Sequence, residues 1–114
     1  MTKPNAWVII GNIYKKILKF NDKNMPKVIE DIKNNLFVYI YTNDHIPAHV
    51  HVFKGRKNDA NQMELKINIG SEEAPPTLVY AHDLIKNKDI VNALKLIAIN
   101  QEMLLSKWEE IHGI

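Results

Sequence analysis

The spacing of apolar residues changes once along this chain, near residue 83, and that change limits the folds open to it. Before residue 83 the pattern has a period of two: Met63, Leu65, Ile67 and Ile69 alternate with polar residues, as in a β-strand with one buried face. After residue 83 apolar residues recur three and four positions apart, which is typical of amphipathic helices. Strands followed by helices predict an α+β domain.

Four segments are predicted to be strands, and their connections are too short for crossover helices. A small antiparallel β-meander is therefore expected. The predicted strands are residues 36–42, 49–54, 62–70 and 77–81. The preceding segment, residues 26–35, is predicted to open a helical turn with Pro26 at its first position and to end in a turn at Asn34-Asn35.

The C-terminal third is predicted to be helical and to cover the sheet, with Leu94 and Trp108 packed against it. Asn87 is a candidate N-cap, and Gly113 stands where a glycine commonly ends a helix. The polar segment 98–102 leaves two possibilities open, namely one long helix or two helices that bend near Asn100.

Residues 1–24 are predicted to form an N-terminal extension ahead of a single domain at residues 25–114. The extension contains an apolar stripe at helical spacing, so an amphipathic helix is expected, with two short strands as the alternative. The stripe consists of Ile10, Ile13, Tyr14, Ile17 and Leu18. Such a segment would bind a partner or cover an exposed sheet edge.

Composition excludes several classes of protein. In 114 residues, 46% apolar and 25% charged residues are ordinary for one globular domain, and a net charge of +2 does not indicate a nucleic-acid binder. The absence of cysteine excludes disulfides, thiolate metal sites and cysteine nucleophiles. The four isolated glycines form neither a phosphate loop nor a dinucleotide turn. The longest apolar run near the N-terminus is too short to span a membrane, so a cytoplasmic location is expected.

The segment Asn43–Phe53 carries three of the five histidines. On a strand, His49 and His51 share one face about 7 Å apart, while Val50 and Val52 face the core. His45 lies across a turn that contains Pro47 and could close on the pair.

Three imidazoles beside Asp44 would suit zinc or another divalent metal with a position left for an activated water. His45, His49 and His51 are therefore the predicted metal ligands and, with Asp44, the predicted catalytic groups. The alternative is a solvated strand edge whose histidines only stabilise the fold. His82 is a further candidate ligand, with a role at the start of the helix as its alternative.

A basic group follows the histidine strand. Lys54, Arg56 and Lys57 could hold phosphate oxygens of RNA or a nucleotide, or could form only a solvated hairpin tip. The alternating histidines also resemble those of the histidine-triad nucleotide hydrolases. Phe53 stands where that family has its nucleophile, which rules out the assignment but leaves phosphate binding by His49 and His51 open.

A second resemblance covers roughly residues 25–112. The order Asp44-His45-x-Pro47-x-His49-x-His51, followed by Glu102-x-Leu104-Leu105-x-x-Trp108-Glu109, resembles a small bacterial family of unknown function. Members look like the toxin half, of the DhiT type, of two-gene type II toxin–antitoxin pairs. Ala48 replaces the usual second proline, and typical members lack the extension at residues 1–24.

The resemblance implies a toxin that is paired with an antitoxin from a neighbouring gene, with a homo-oligomer as a further possibility. The biochemical target does not follow from the resemblance, and two classes of function stay open. The first is a toxin enzyme that acts on RNA or a nucleotide, with His45, His49 and His51 as acid/base groups or metal ligands. The alternative is a non-catalytic protein-binding module in which the histidine motif serves only the fold.

Overall fold

The structure is a computed structural model that describes residues 26–113. Five strands form one antiparallel sheet in sequence order, and two helices follow. The elements are β1 (Lys27–Asp31), β2 (Leu36–Tyr39), β3 (His49–Lys54), β4 (Met63–Asn68), β5 (Thr77–Ala81), α1 (Asn87–Ile99) and α2 (Gln101–His112). The predicted α+β meander is confirmed, whereas the extension predicted for residues 1–24 lies outside the described residues.

The four predicted strands correspond to β2 to β5. β3 and β5 have the predicted bounds, while β2 and β4 are shorter than expected. β2 ends at Tyr39 because the chain turns over residues 41–44, where the Tyr41 N–H donates to the Asp44 side chain. β4 is followed by Gly70 at φ +86°, where an added Cβ would lie 2.4 Å from the Ala74 carbonyl oxygen. Only glycine fits this turn without strain.

The predicted helical turn after Pro26 is wrong, because this segment forms β1. β1 pairs with β2 in a hairpin, with Ile29 opposite Val38, and Val28 and Ile29 pack against the core. The predicted turn at Asn34-Asn35 is confirmed and closes this hairpin: Asn35 has φ 58°, and Asp31 accepts from the Asn34 backbone N–H at 3.2 Å. The β-branched residues Val28 and Ile29 lie in a strand because β2 pairs with this segment, and local periodicity does not reveal that partner.

The core lies between one face of the sheet and the two helices. Its fully buried side chains are alternate residues of the strands together with residues one or two turns apart on the helices. They are Leu36, Val38, Ile40, Val50, Val52, Leu65, Ile67, Ile69, Ala93, Ile97 and Leu104. Trp108 is also buried and Leu94 is partly buried against this cluster, so their predicted packing is confirmed.

Two helices, rather than one, cover the sheet and meet at Asn100 as one of the predictions allowed. The Asn100 amide donates to the Leu96 carbonyl at 2.9 Å and ends α1, while the Gln101 amide ties the start of α2 to the Ile69 carbonyl. Lys86 occupies the N-cap position of α1 without a side-chain capping hydrogen bond, so the N-cap predicted at Asn87 was wrong by one position. Gly113 ends α2 in the left-handed conformation, as predicted. Within residues 26–113, no helix has the length and apolar character needed to cross a membrane.

Two isoleucines on α1 provide a matched test of this packing. Ile97 is 0% exposed and Ile99 is 81% exposed. We expect Ile97→Ala to lower the free energy of unfolding by about 2–5 kcal/mol, because it leaves a cavity in the core. Ile99→Ala should change it by less than about 0.5 kcal/mol. Urea unfolding monitored by circular dichroism measures both, and equal losses would contradict the packing described here.

Candidate functional site

The two histidines of β3 lie at the centre of the sheet. β3 runs between β2 and β4, and His51 stands opposite Tyr39 on one side and Lys66 on the other. Val50 and Val52 are fully buried in the core, and the alternation directs His49 and His51 to the other side of β3 from these valines, where their rings lie 5.1 Å apart. The shared face predicted for the two histidines is confirmed.

Asp44 reaches the histidines from the loop between β2 and β3. Its backbone N–H donates to the Tyr41 carbonyl at 3.2 Å, and its Oδ2 accepts from the Tyr41 N–H at 3.0 Å. Its Oδ1 lies 3.3 Å from His49 Nε2 and 3.2 Å from His51 Nε2. One turn thus fixes the carboxylate beside both imidazoles, and the three ligand atoms lie within 4.8 Å of one another.

The far nitrogen of each imidazole is held by an acceptor. His49 Nδ1 lies 2.9 Å from the Pro47 carbonyl oxygen, and His51 Nδ1 lies 2.9 Å from Glu64 Oε2. A carbonyl and an ionised carboxylate only accept, so both Nδ1 atoms donate. In a neutral imidazole the other nitrogen, Nε2, is then a lone-pair acceptor. When both rings are neutral, the two Nε2 atoms and the Asp44 carboxylate are three acceptors that face one another; when the rings are protonated, both Nε2–H groups donate to Asp44.

Aromatic rings enclose the pair on two sides. The Tyr41 ring stacks on His51 with centroids 3.9 Å apart and planes 10° apart. The Trp108 ring lies 5.4 Å from the His49 ring and is itself packed against His112 at 3.9 Å. The His112 Nδ1 donates to the Trp108 carbonyl at 2.8 Å. These contacts restrict the imidazole orientations and connect α2 to the cluster.

A cleft of about 600 Å³ opens beside Asp44 and His49. Its wall combines apolar residues of the loop and of β5 with polar residues of the loop and of β4. The other lining residues are Tyr41, Asn43, His45, Ile46, Pro47, Lys66, Asn68 and Val79. The cluster thus borders a space large enough for a small-molecule ligand.

The structure brings some predicted site residues together and separates others. His45 lines the cleft and is exposed, but it is not one of the three clustered ligands. His82 is also outside the cluster, and its Nδ1 accepts from the Leu84 N–H at 3.1 Å. Asp44 takes the third position that the sequence analysis gave to His45.

The predicted phosphate-binding group lies at the other end of β3 from His49. The Lys54 ammonium donates to the Asn34 carbonyl at 2.9 Å and to the buried Asp89 carboxylate at 3.1 Å. Arg56 lies over the Phe37 ring at 5.0 Å, and Lys57 is exposed. Lys54 therefore joins the hairpin to α1, and these cations do not adjoin the cleft.

Three residues of the site were missed by sequence reasoning: Tyr41, Glu64 and Lys66. Glu64 and Lys66 are on the polar face of β4, so alternation alone placed them on the side opposite Leu65 and Ile67. Alternation does not give the register between β3 and β4, and this register determines which polar residues of β4 lie beside the histidines.

Comparison with known proteins identifies one family. Residues 35–109 match the model of the family described as Domain of unknown function (DUF4160). The chain belongs to this family. The DUF4160 match spans β2 to most of α2 and includes Asp44, His49, His51 and Trp108. No curated protein matches the chain, and no solved structure matches it.

Tyr41 gives the cluster a measurable alkaline signature. Burial, with the nearby Glu64 and Asp44 carboxylates as smaller causes, raises the pKa of Tyr41 from 10.0 to about 12. The phenol is therefore harder to ionise in the folded chain than in the unfolded one. Its contribution to stability should be complete below pH 10 and should be lost as the pH rises towards 12.

We expect the ultraviolet titration of the protein in EDTA to contain a tyrosinate component with a midpoint near pH 12. Tyr41→Phe should remove that component. If the variant and the parent protein give identical titration curves, the enclosed position of the phenol is wrong.

Proposed function

We propose that Asp44, His49 and His51 bind a divalent transition metal, of which zinc fits best. The observation that supports this most strongly is the convergence of three acceptors on one point. Bonds of about 2.0 Å to a tetrahedral zinc would place ligand atoms about 3.3 Å apart. The two distances from the Asp44 Oδ1 to the imidazole nitrogens are 3.3 Å and 3.2 Å.

The groups behind the ligands support the same proposal. Histidines that bind metals commonly donate their second N–H to a carboxylate or a backbone carbonyl, which fixes the tautomer and the ring orientation. Glu64 does this for His51, and the Pro47 carbonyl does it for His49. Two nitrogens and one oxygen suit zinc, iron or manganese better than calcium or magnesium.

Three protein ligands leave a coordination position free, as in catalytic rather than structural zinc sites. A metal held in this way would lower the pKa of a bound water and polarise a substrate oxygen, which is the chemistry of hydrolysis. Asp44 and the two imidazoles would hold the ion, while the Tyr41 ring would restrain His51. The cleft beside Asp44 would receive the substrate. We therefore propose that the chain is a metal-dependent hydrolase.

We further propose that this enzyme is the toxin half of a toxin–antitoxin pair, with the antitoxin encoded by a neighbouring gene. The support is the resemblance of the histidine and tryptophan motifs to the toxin family, together with an enclosed metal-type cluster beside a cleft. The histidine motif and the tryptophan motif lie next to each other in the fold, because Trp108 contacts His49.

One observation favours the alternative of a protein-binding module. β5 is the last strand of the sheet and exposes Leu78, Val79 and Tyr80 in succession. An uncharged, apolar edge strand is suited to pairing with another chain. In that alternative the histidines would be charged and would hold Asp44 and Glu64 together, and substitutions in the cluster would affect folding but no reaction.

The metal proposal predicts tight binding of one zinc ion per chain in calorimetry. Asp44→Asn and His49→Ala should weaken binding more than the roughly tenfold to hundredfold loss caused by changes to residues that only hydrogen-bond a metal ligand. Glu64→Gln should fall within that tenfold to hundredfold range. The affinity should also decrease as the pH falls, because protonation of the imidazoles competes with the metal.

His45→Ala is the matched control for these variants. It removes an imidazole from the same cleft, and we expect the zinc affinity to stay within a few-fold because His45 is outside the cluster. An equally large loss would make His45 the ligand that the sequence predicted. Equilibrium dialysis that finds no bound zinc, nickel or manganese would refute the metal proposal.

The toxin proposal predicts that expression of this chain alone slows bacterial growth and that co-expression of the neighbouring gene restores it. Asp44→Asn should abolish the growth defect while the neighbour still co-purifies, because the substitution removes a proposed metal ligand with almost no change in side-chain shape. A growth defect that survives this substitution in folded protein would favour the binding module. Normal growth together with no co-purifying neighbour would end the toxin proposal.

A further inference from the structure

Beside the proposed metal ligands, the polar part of the cleft lining consists mainly of groups that can donate to an anion. Apart from Asp44, whose oxygens are engaged by the imidazoles and the Tyr41 N–H, the lining contains no acidic side chain. It contains a lysine, Lys66, and two amides, Asn43 and Asn68. The polar lining is therefore biased towards negatively charged ligands.

Lys66 is placed by the sheet beside the cluster. It stands directly opposite His51 in the β3–β4 pairing, and directly opposed side chains have Cβ atoms about 4.5–5.5 Å apart on the same face. It also lines the cleft. A cation is thus fixed next to the metal ligands by backbone register rather than by a flexible loop.

The Lys66 ammonium has no ion-pair partner among residues 26–113. The nearby acids are already engaged, since Asp44 faces both imidazoles and Glu64 accepts from His51. Lys54, on the same strand pair, is by contrast neutralised by Asp89 at 3.1 Å. Lys66 is only half-exposed, and a partly buried ammonium is stabilised by an anion.

We infer that the cleft binds a small phosphate ester, with its phosphoryl oxygens shared between the proposed metal and the Lys66 ammonium. This inference rests on the proposed metal site and gives its substrate class. A phosphate monoester has three non-bridging oxygens for the metal, the Lys66 ammonium and the amides of Asn43 and Asn68, whereas a carboxylate has only two oxygens for these groups. Ile46 and Val79 supply an apolar wall for the organic part of the ester.

A small ester fits better than a nucleic-acid strand. Proteins that bind single strands combine a basic groove along the backbone with aromatic platforms. Here the other basic group, Lys54 to Lys57, is at the far end of β3, and Lys54 is paired with Asp89. In the proposed reaction, water adds its oxygen to phosphorus and the bond from phosphorus to the leaving oxygen breaks. The leaving oxygen takes up the proton that water releases.

The test uses inorganic phosphate and a nucleoside monophosphate as probes of the full chain. Binding is followed by phosphorus NMR, with and without Co²⁺, because a paramagnetic ion broadens the signal of a nearby phosphorus. We expect binding and Co²⁺-dependent broadening. Lys66→Met should weaken phosphate binding roughly tenfold or more, since a charged hydrogen bond is lost. The Lys66→Met variant should bind Co²⁺ with the same affinity as the parent protein.

Two further variants control this experiment. Lys66→Arg keeps the positive charge and should retain phosphate binding within a few-fold. Lys57→Met removes a lysine outside the cleft and should leave the phosphate affinity unchanged. A weaker affinity in this variant would show that the overall charge of the protein, rather than Lys66, determines binding.

The outcomes separate this inference from the metal proposal. Metal binding without phosphate binding, or with binding unchanged in Lys66→Met, would overturn the phosphate inference and leave the metal site intact. Phosphate binding that needs Lys66 in a chain that binds no metal would support the anion site and refute the metal proposal. Tighter binding of single-stranded RNA that depends on Lys54 and Lys57 would overturn the choice of a small ester.

Discussion

The pairing of β3 with β4 is the interaction on which the rest of the structure depends. His51 opposes Lys66 and Val52 opposes Leu65, so one register sets both the polar face and the core. A shift by one residue would turn every side chain of a strand to the other face and place the imidazoles among the aliphatic core residues in place of valines. The core residues hold this register, because any slip would remove Val50 and Val52 from their apolar contacts. The hydrophobic core thereby fixes the positions of the functional groups.

The electrostatics of the cluster follow from that placement. Two imidazoles beside a carboxylate can form many hydrogen-bonded arrangements, and most would let an Nε2–H donate to Asp44. Here the Pro47 carbonyl and Glu64 occupy both Nδ1 positions, so neutral rings present only lone pairs. A cation, whether protons on the rings or a metal ion, is then needed between the three acceptors. The Pro47 carbonyl and Glu64 are therefore as important to the proposed site as the two histidines.

Most of the fold could be predicted from the sequence because its strands alternate cleanly and its helices keep one apolar stripe. β1 could not, since Val28 and Ile29 fit either a helical turn or a strand until β2 is present as a partner. The site was predicted in part. His49 and His51 follow from alternation within one strand, whereas the choice of Asp44 over His45 depends on a turn closed through Tyr41. Glu64 and Lys66 required the register between two strands, which no local pattern contains.

The contact between Trp108 and His49 joins two segments that are more than fifty residues apart and that both lie within the DUF4160 match. Trp108 is buried with Leu104 in the core, and its ring lies 5.4 Å from the His49 imidazole. α2 therefore packs on the sheet through the same residue that bounds the cluster. Movement of the helix would disturb His49, which is also held by its hydrogen bond to the Pro47 carbonyl and by its contact with Asp44. The loop, the central strand and the last helix each hold one side of the cluster, so contacts within the fold set the positions of Asp44, His49 and His51. Such preorganisation reduces the ordering cost of binding, and it favours a site for a ligand over histidines that serve only as a strand edge.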